Sequence, residues 1–217
     1  MSDPSAHRPG GGSWWQCVIR ETASEPARFI TVQSSRYPDG SRVELSPEMA
    51  RLQIGDAAVC VITYGDGRRV VGMQVMPWFA PKAPPMWFAE LRESAASPPA
   101  VSLLSFTGAG QPANSLVDQS DLRNVAVVSS DQLGALRWYP ATGEIDQVYV
   151  QPPWRRRNIA SALLGAAASL SVSRDWPRFW SDGQRTALGE DLRNARTWRH
   201  RAADLTNLSP PMTPGDA

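Results

Sequence analysis

Three consecutive arginines, Arg155-Arg156-Arg157, stand where a strand-like run gives way to a helix-like one. A helix N-terminus presents unpaired backbone N–H groups and the positive end of the macrodipole, so it suits a phosphate. Guanidinium forks add permanent charge and bidentate geometry. Without an anion, cations there oppose the dipole at about 0.3–1 kcal/mol each when exposed. An anion-binding loop is the direct expectation, and arginines on a solvated first turn are the alternative. A second chemical feature precedes it. Glu144 and Asp146 fall on one face of a strand by two-residue alternation, and neighbouring carboxylates can raise one pKa toward the range of a general base.

The rest of the inventory excludes more than it offers. The chain has 217 residues and a net charge of +1, with two cysteines, Cys17 and Cys60, and two histidines, His7 and His200. A zinc site, a Ser-His-Asp triad or a Cys-His dyad is not easily built from these, so no metal is expected. No apolar run reaches the ~18 residues that span a bilayer, and the start of the chain lacks a hydrophobic signal core. A cytoplasmic protein with reduced thiols and no membrane partner is expected. Lys82 is the only lysine among 22 basic residues. Residues 1–150 carry 12 basic and 15 acidic side chains, whereas 151–201 carry 10 arginines against four acids.

The elements that must position these groups can be read from pattern. Residues 28–35 form a β-type run, and Ser46-Pro47-Glu48 opens a short helix over 47–54. Runs 59–64 and 69–75 around Gly-Asp-Gly make a hairpin. The Trp/Pro-rich stretch 76–88 reads as a rigid loop packed on its own domain, and the segment from there to about 120 is the least legible. Runs 125–128, 133–139 and 144–150 read as three strands in a meander. An amphipathic helix is expected over 157–171, a short strand at 176–180 and a second helix over 186–199. No internal repeat is evident.

The run from Glu144 to Leu164 resembles the acetyl-CoA-binding segment of the GNAT superfamily of N-acetyltransferases. The family signature, Arg/Gln-x-x-Gly-x-Gly/Ala, reads here Arg155-Arg156-Arg157-Asn158-Ile159-Ala160. The preceding Tyr-Val-x-Pro and the following Ala-x-x-Leu-Leu also match. The resemblance implies that backbone amides of Arg155, Arg156, Arg157, Asn158, Ile159 and Ala160 hold the CoA diphosphate. It implies that Val148 and Val150 pair through their backbone with pantetheine, and that Glu144, with Asp146 beside it, serves as the base for the acceptor amine. Asn158 replaces the signature glycine; it is the residue that next best tolerates unusual φ. The family's usual tyrosine acid has no counterpart in 184–199, leaving Ser181 or Thr186 as available hydroxyls. The segment 181–189 is also similar to one in some acetyltransferase-like proteins of actinobacteria and their phages.

The expected fold class is α+β, a GNAT-like mixed and mostly antiparallel sheet flanked by helices, with a β-rich N-terminal elaboration. The expected organisation is a tail over 1–13, a β-rich region over 14–115, a GNAT-like core over 116–205 and a tail over 206–217. The implied function is acetyl-CoA-dependent N-acyl transfer to an amine, a small molecule or a protein. A GNAT-fold binding module without chemistry is one alternative. A nucleic-acid-modifying relative, its arginines on phosphate, is another.

Overall fold

The computed structural model describes residues 12–20, 28–108, 110–194 and 202–209. The chain runs β1 (Trp14–Ile19), β2 (Arg28–Gln33), β3 (Arg42–Leu45), α1 (Pro47–Ile54), β4 (Ala58–Tyr64) and β5 (Val70–Val75). It continues through β6 (Trp87–Glu93), β7 (Ala100–Phe106), β8 (Leu116–Asp118), α2 (Gln119–Leu122), β9 (Gln132–Tyr139) and β10 (Glu144–Val150). The last elements are α3 (Ile159–Ser173), β11 (Gln184–Arg185), α4 (Ala187–Asn194) and β12 (Asn207–Leu208). The fold is α+β: two five-stranded, mostly antiparallel sheets with few helices, and a small parallel pair β11–β12.

The two sheets repeat one topology. The first has the order β3-β1-β2-β4-β5 and the second, read from its other edge, β8-β6-β7-β9-β10. In each, the outermost pair is parallel and the others antiparallel. The correspondence extends to register. Thr31 faces Cys60 just before a bulge in the first sheet, as Ser105 faces Gly134 just before a bulge in the second. It extends to turns as well. The N–H of Ser41 donates to Pro38 C=O and that of Gly40 to Trp14 C=O; the N–H of Ser115 donates to Pro112 C=O and that of Asn114 to Met86 C=O. Gly40 and Asn114 both lie in the left-handed region, at φ 84° and 69°. Sequence inspection finds no repeat because few residues are kept, chiefly Pro-x-(Gly/Asn)-Ser-x-Val at 38–43 and 112–117.

One helix serves both copies. α3 packs against β2, β4 and β5 on one side and against β7, β9 and β10, their equivalents, on the other. Ala162, Leu163, Ala166, Ala167 and Leu170 are fully buried, as are Ser169 and Ser171. The helix is therefore not amphipathic as expected but covered all round, and its small residues let two sheets approach it. Each sheet's outer face has its own lesser core. Trp15, Cys17 and Val32 pack under α1, while Trp87, Ala89 and Phe106 pack with Leu122 of α2.

Several sequence expectations change. Residues 125–128 are not a strand; Val127 and Val128 are exposed, and β9 takes its neighbour from β7 instead. β6 and β7, from the illegible stretch, belong with β9 and β10, so 14–115 divides between both sheets. The strand at 176–180 shrinks to a bridge at Trp180. The second helix spans Ala187–Asn194, and its expected continuation lies outside the described residues, as do most of the two tails. Part of the expected C-terminal tail, Asn207–Leu208, is strand β12. The 76–88 stretch splits: Phe79 is buried edge-on against Trp14, and Trp87 opens β6.

Candidate functional site

β10 is the outer strand of its sheet, and its free side meets one short segment. Trp180 N–H donates to Gly143 C=O (3.1 Å) and Ile145 N–H to Trp180 C=O (2.8 Å). Gly143 makes this approach possible: a Cβ there would lie 2.3 Å from Arg178 C=O, and its φ is +76°. Arg178 is itself fixed by a bidentate pair with Asp39 (2.6 and 2.8 Å), and Phe179 is buried against Trp138. Beyond Ile145 the two segments part. A cavity of about 410 Å³ opens between residues 144–148 and 179–186, floored by Leu164 and closed by Leu192 of α4.

The strand edge facing this cavity is chemically distinct. Gln151 N–H donates inward to Leu133 C=O (3.0 Å), while Arg155 Nε donates to Val150 C=O (3.2 Å) from outside. By strand alternation, the backbone polar groups of Val148 and Val150 point away from β9. The ladder also shifts register between Ile145 and Gln147, leaving Asp146 as the bulged residue.

At the end of the same strand, the chain turns through 151–158 into α3. Asn158 is its cap residue in left-handed conformation (φ 59°, ψ 18°), which glycine adopts freely and asparagine tolerates. Arg156 has φ +61°. Ala162 N–H reaches Asn158 C=O (2.9 Å), so the N–H groups of Ile159, Ala160 and Ser161 have no acceptor within the helix. The arginines are spread around this end. Arg156 pairs with Asp191 of α4 at 2.6 Å, both exposed, and the Arg157 guanidinium stacks on Trp154 at 5.0 Å.

The two acids expected to act as bases are placed differently. Glu144 lines the cavity at the point where the strands part. Asp146 also lines it, but its oxygens are held by Arg137 Nη1 (2.6 Å) and the Tyr139 hydroxyl (2.7 Å). Asp146 in turn raises the Tyr139 hydroxyl above its ordinary pKa. Arg137 also binds Glu93, holding that carboxyl below the usual range together with Ser102. Ser181 and Thr186 both line the cavity. α4 is pinned by Arg185 and Arg193 on Glu190 (2.6 and 3.3 Å), which lies below the usual carboxylate range because of Arg185 first.

The strand β10 thus has the cavity beside its first half and the N-terminus of α3 beyond its end. Residues 83–188 match the acetyltransferase (GNAT) family. This segment is one of the GNAT superfamily. No curated protein and no solved structure matches it. The matched segment of this GNAT protein holds β6 to β10, the arginine loop, α3 and the cavity wall, and acyl transfer is the chemistry of the family. Among the described residues no helix is long and apolar enough to cross a membrane. None of their His, Cys, Asp and Glu side chains gather in threes as metal ligands would. Burial pushes the Cys17 thiol up to about 11 and the Cys60 thiol up to about 12.

Sequence reasoning missed one participant. Lys82 N–H donates to the Asn158 side-chain oxygen (3.3 Å), bringing the 76–82 loop to the N-terminus of α3. The repeated Pro-x-(Gly/Asn)-Ser turn was the available signal, because it aligns the two sheets and with them the loops that follow β5 and β10.

Proposed function

We propose that this GNAT protein is an acetyl-CoA-dependent N-acyltransferase that acts by direct attack of an amine on the thioester. The observation carrying this reading is the outer edge of β10, where, among the described residues, no further strand continues the sheet beyond Ile145 before the N-terminus of α3. Pantetheine amides pair with the backbone of Val148 and Val150 as an added strand would. The diphosphate lies on the amides of residues 155–160, with Arg155, Arg156 and Arg157 about it. The thioester then lies where the strands part, beside Glu144.

The acceptor nitrogen forms a bond to the thioester carbon as the carbonyl electron pair moves to oxygen. A backbone N–H near Val148 stabilises that oxyanion. The nitrogen's proton passes through water to Glu144, and collapse breaks the C–S bond. The leaving thiolate takes a proton from water held beside the Ser181 and Thr186 hydroxyls, and Glu144 returns the amine's proton to solvent, so that no alkoxide is left. Asp146, already held by Arg137 and Tyr139, orders the residues next to Glu144.

Calorimetric titration with acetyl-CoA is the first test; no binding at high micromolar concentration sinks the reading. With an amine found acetylated in a panel, Glu144→Gln should lower turnover by about 10²-fold. Acetyl-CoA affinity should stay near wild type. Unchanged turnover removes Glu144 from the mechanism.

A further inference from the structure

The repeat assigns a counterpart to the arginine loop. β5 and β10 are equivalent strands: Val75 faces Cys60 as Val150 faces Gly134. The next residue donates to the same place in each copy, Met76 N–H to Val59 C=O (2.9 Å) and Gln151 N–H to Leu133 C=O (3.0 Å). Both loops then make a tight turn closed three residues on, Phe79 N–H to Met76 C=O and Trp154 N–H to Gln151 C=O (3.0 and 2.9 Å). Both carry Pro-Trp, as Pro77-Trp78 and Pro153-Trp154. After its loop the second copy enters α3, whereas the first enters β6 and has no helix of its own. The first loop nevertheless ends at the same helix, through Lys82 N–H and the Asn158 side chain.

We infer that the 76–82 loop is the second half of the phosphate cradle, and that the Lys82 ammonium is a ligand of the CoA phosphates. Lys82 is the only lysine of the chain. It is exposed, and among the described residues its ammonium makes no ion pair. Arg156, by contrast, is engaged by Asp191, and Arg157 lies on Trp154. A cation in no ion pair, on a residue bonded to the cap of a helix whose first three N–H groups have no acceptor within it, needs little rearrangement to meet an anion. Its backbone tie to Asn158 fixes where the side chain starts. A copy of the arginine loop, deprived of its own helix, thus completes the anion site of its sister.

This inference rests on the acetyltransferase reading, and two probes separate their failures. Wild-type titration with acetyl-CoA tests that reading. Titration with inorganic pyrophosphate tests the cradle without it. Lys82→Ala should weaken both ligands about tenfold, the scale of one charge-assisted contact. Lys82→Arg should recover most of the loss. Thermal stability should not change in either variant, because the backbone bond to Asn158 remains. Pyrophosphate that fails to bind wild type, or binds Lys82→Ala as tightly, overturns the inference even where acetyl-CoA binds. So does a loss that Lys82→Arg does not repair.

Discussion

β5 and β10 occupy the same place in two copies of one topology, and they differ in what lies along their outer edge. The β5 edge is closed: Met73 N–H donates to Asn114 C=O (2.7 Å), and Gly72 bridges to Ser115. The turn that closes it belongs to the other sheet, so the second copy seals the edge of the first. The β10 edge meets Trp180 at Gly143 and Ile145 and then opens onto the cavity. A free strand edge is a row of unpaired donors and acceptors that attracts another chain. Here one edge is satisfied internally, and the other is the edge on which the proposed pantetheine would pair as a strand does. Topology alone does not distinguish the two edges; among the described residues, β10 has no strand paired along 146–150 on its outer side, where β5 has the turn at 114–115.

The two copies can be set against each other by mutation, and the largest difference is expected at Glu90 and Val18. These equivalent strand positions hold a carboxylate that is 3% exposed and a partly buried apolar residue. Glu90 takes a bidentate pair from Arg174 (2.6 Å twice) and a further bond from Arg92 (2.9 Å). Glu90→Ala leaves Arg174 unpaired and should cost about 3–5 kcal/mol in urea unfolding. Val18→Ala should cost ~1 kcal/mol. Burial raises the Glu90 carboxyl, but Arg174 and then Arg92 outweigh it, so it lies below its ordinary value. In the unfolded chain it binds a proton at about pH 4.3. Its stabilisation is therefore complete above that pH and is lost as pH falls through the folded value. Stability should fall more steeply with acid in wild type than in Glu90→Gln.

A smaller effect distinguishes the edges themselves. Gly143→Ala places a Cβ 2.3 Å from Arg178 C=O at a positive φ and should cost about 1–3 kcal/mol. It also frees Trp180 from β10, so acetyl-CoA affinity should fall with it. Gly72→Ala meets Asn114 C=O at 3.3 Å without an unfavourable φ and should cost less than ~1 kcal/mol. Equal losses in the two variants, by urea unfolding, would show that the edges are held alike. The smallest effect is expected at the α3 cap. Asn158→Gly should be neutral within about 0.5 kcal/mol, whereas Asn158→Ala should lose ~1 kcal/mol at φ 59°.

Local order was easier to read from sequence than long-range partnership. The 47–54 helix is present from its Ser46 cap and Pro47, and the Gly-Asp-Gly hairpin and the β9–β10 pair follow from alternation around turns. The arginine loop was recognisable because its charge opposes the helix dipole. β6 and β7 were not, because Glu90 and Arg92 interrupt an apolar strand and the flanking segments are rich in proline. What justifies Glu90 there is Arg174, distant in the chain. Likewise, 125–128 has a strand's composition but no strand beside it. The alternation rule set Glu144 and Asp146 on one face, but it could not foresee that Arg137 and Tyr139 would engage only Asp146.

The sharing of α3 has a consequence for how the chain is made. The first sheet is complete in sequence at Val75, yet the helix that covers its inner face ends at Ser173. At ordinary synthesis rates, roughly 5–20 s separate the two as they leave the ribosome. During that interval Phe29, Ile62 and Met73 have no helix to bury them, and the second sheet cannot close either. The two copies therefore mature together at the arrival of one segment. The same segment follows directly on the arginine loop, so the core and the wall of the cavity that Leu164 contributes assemble together.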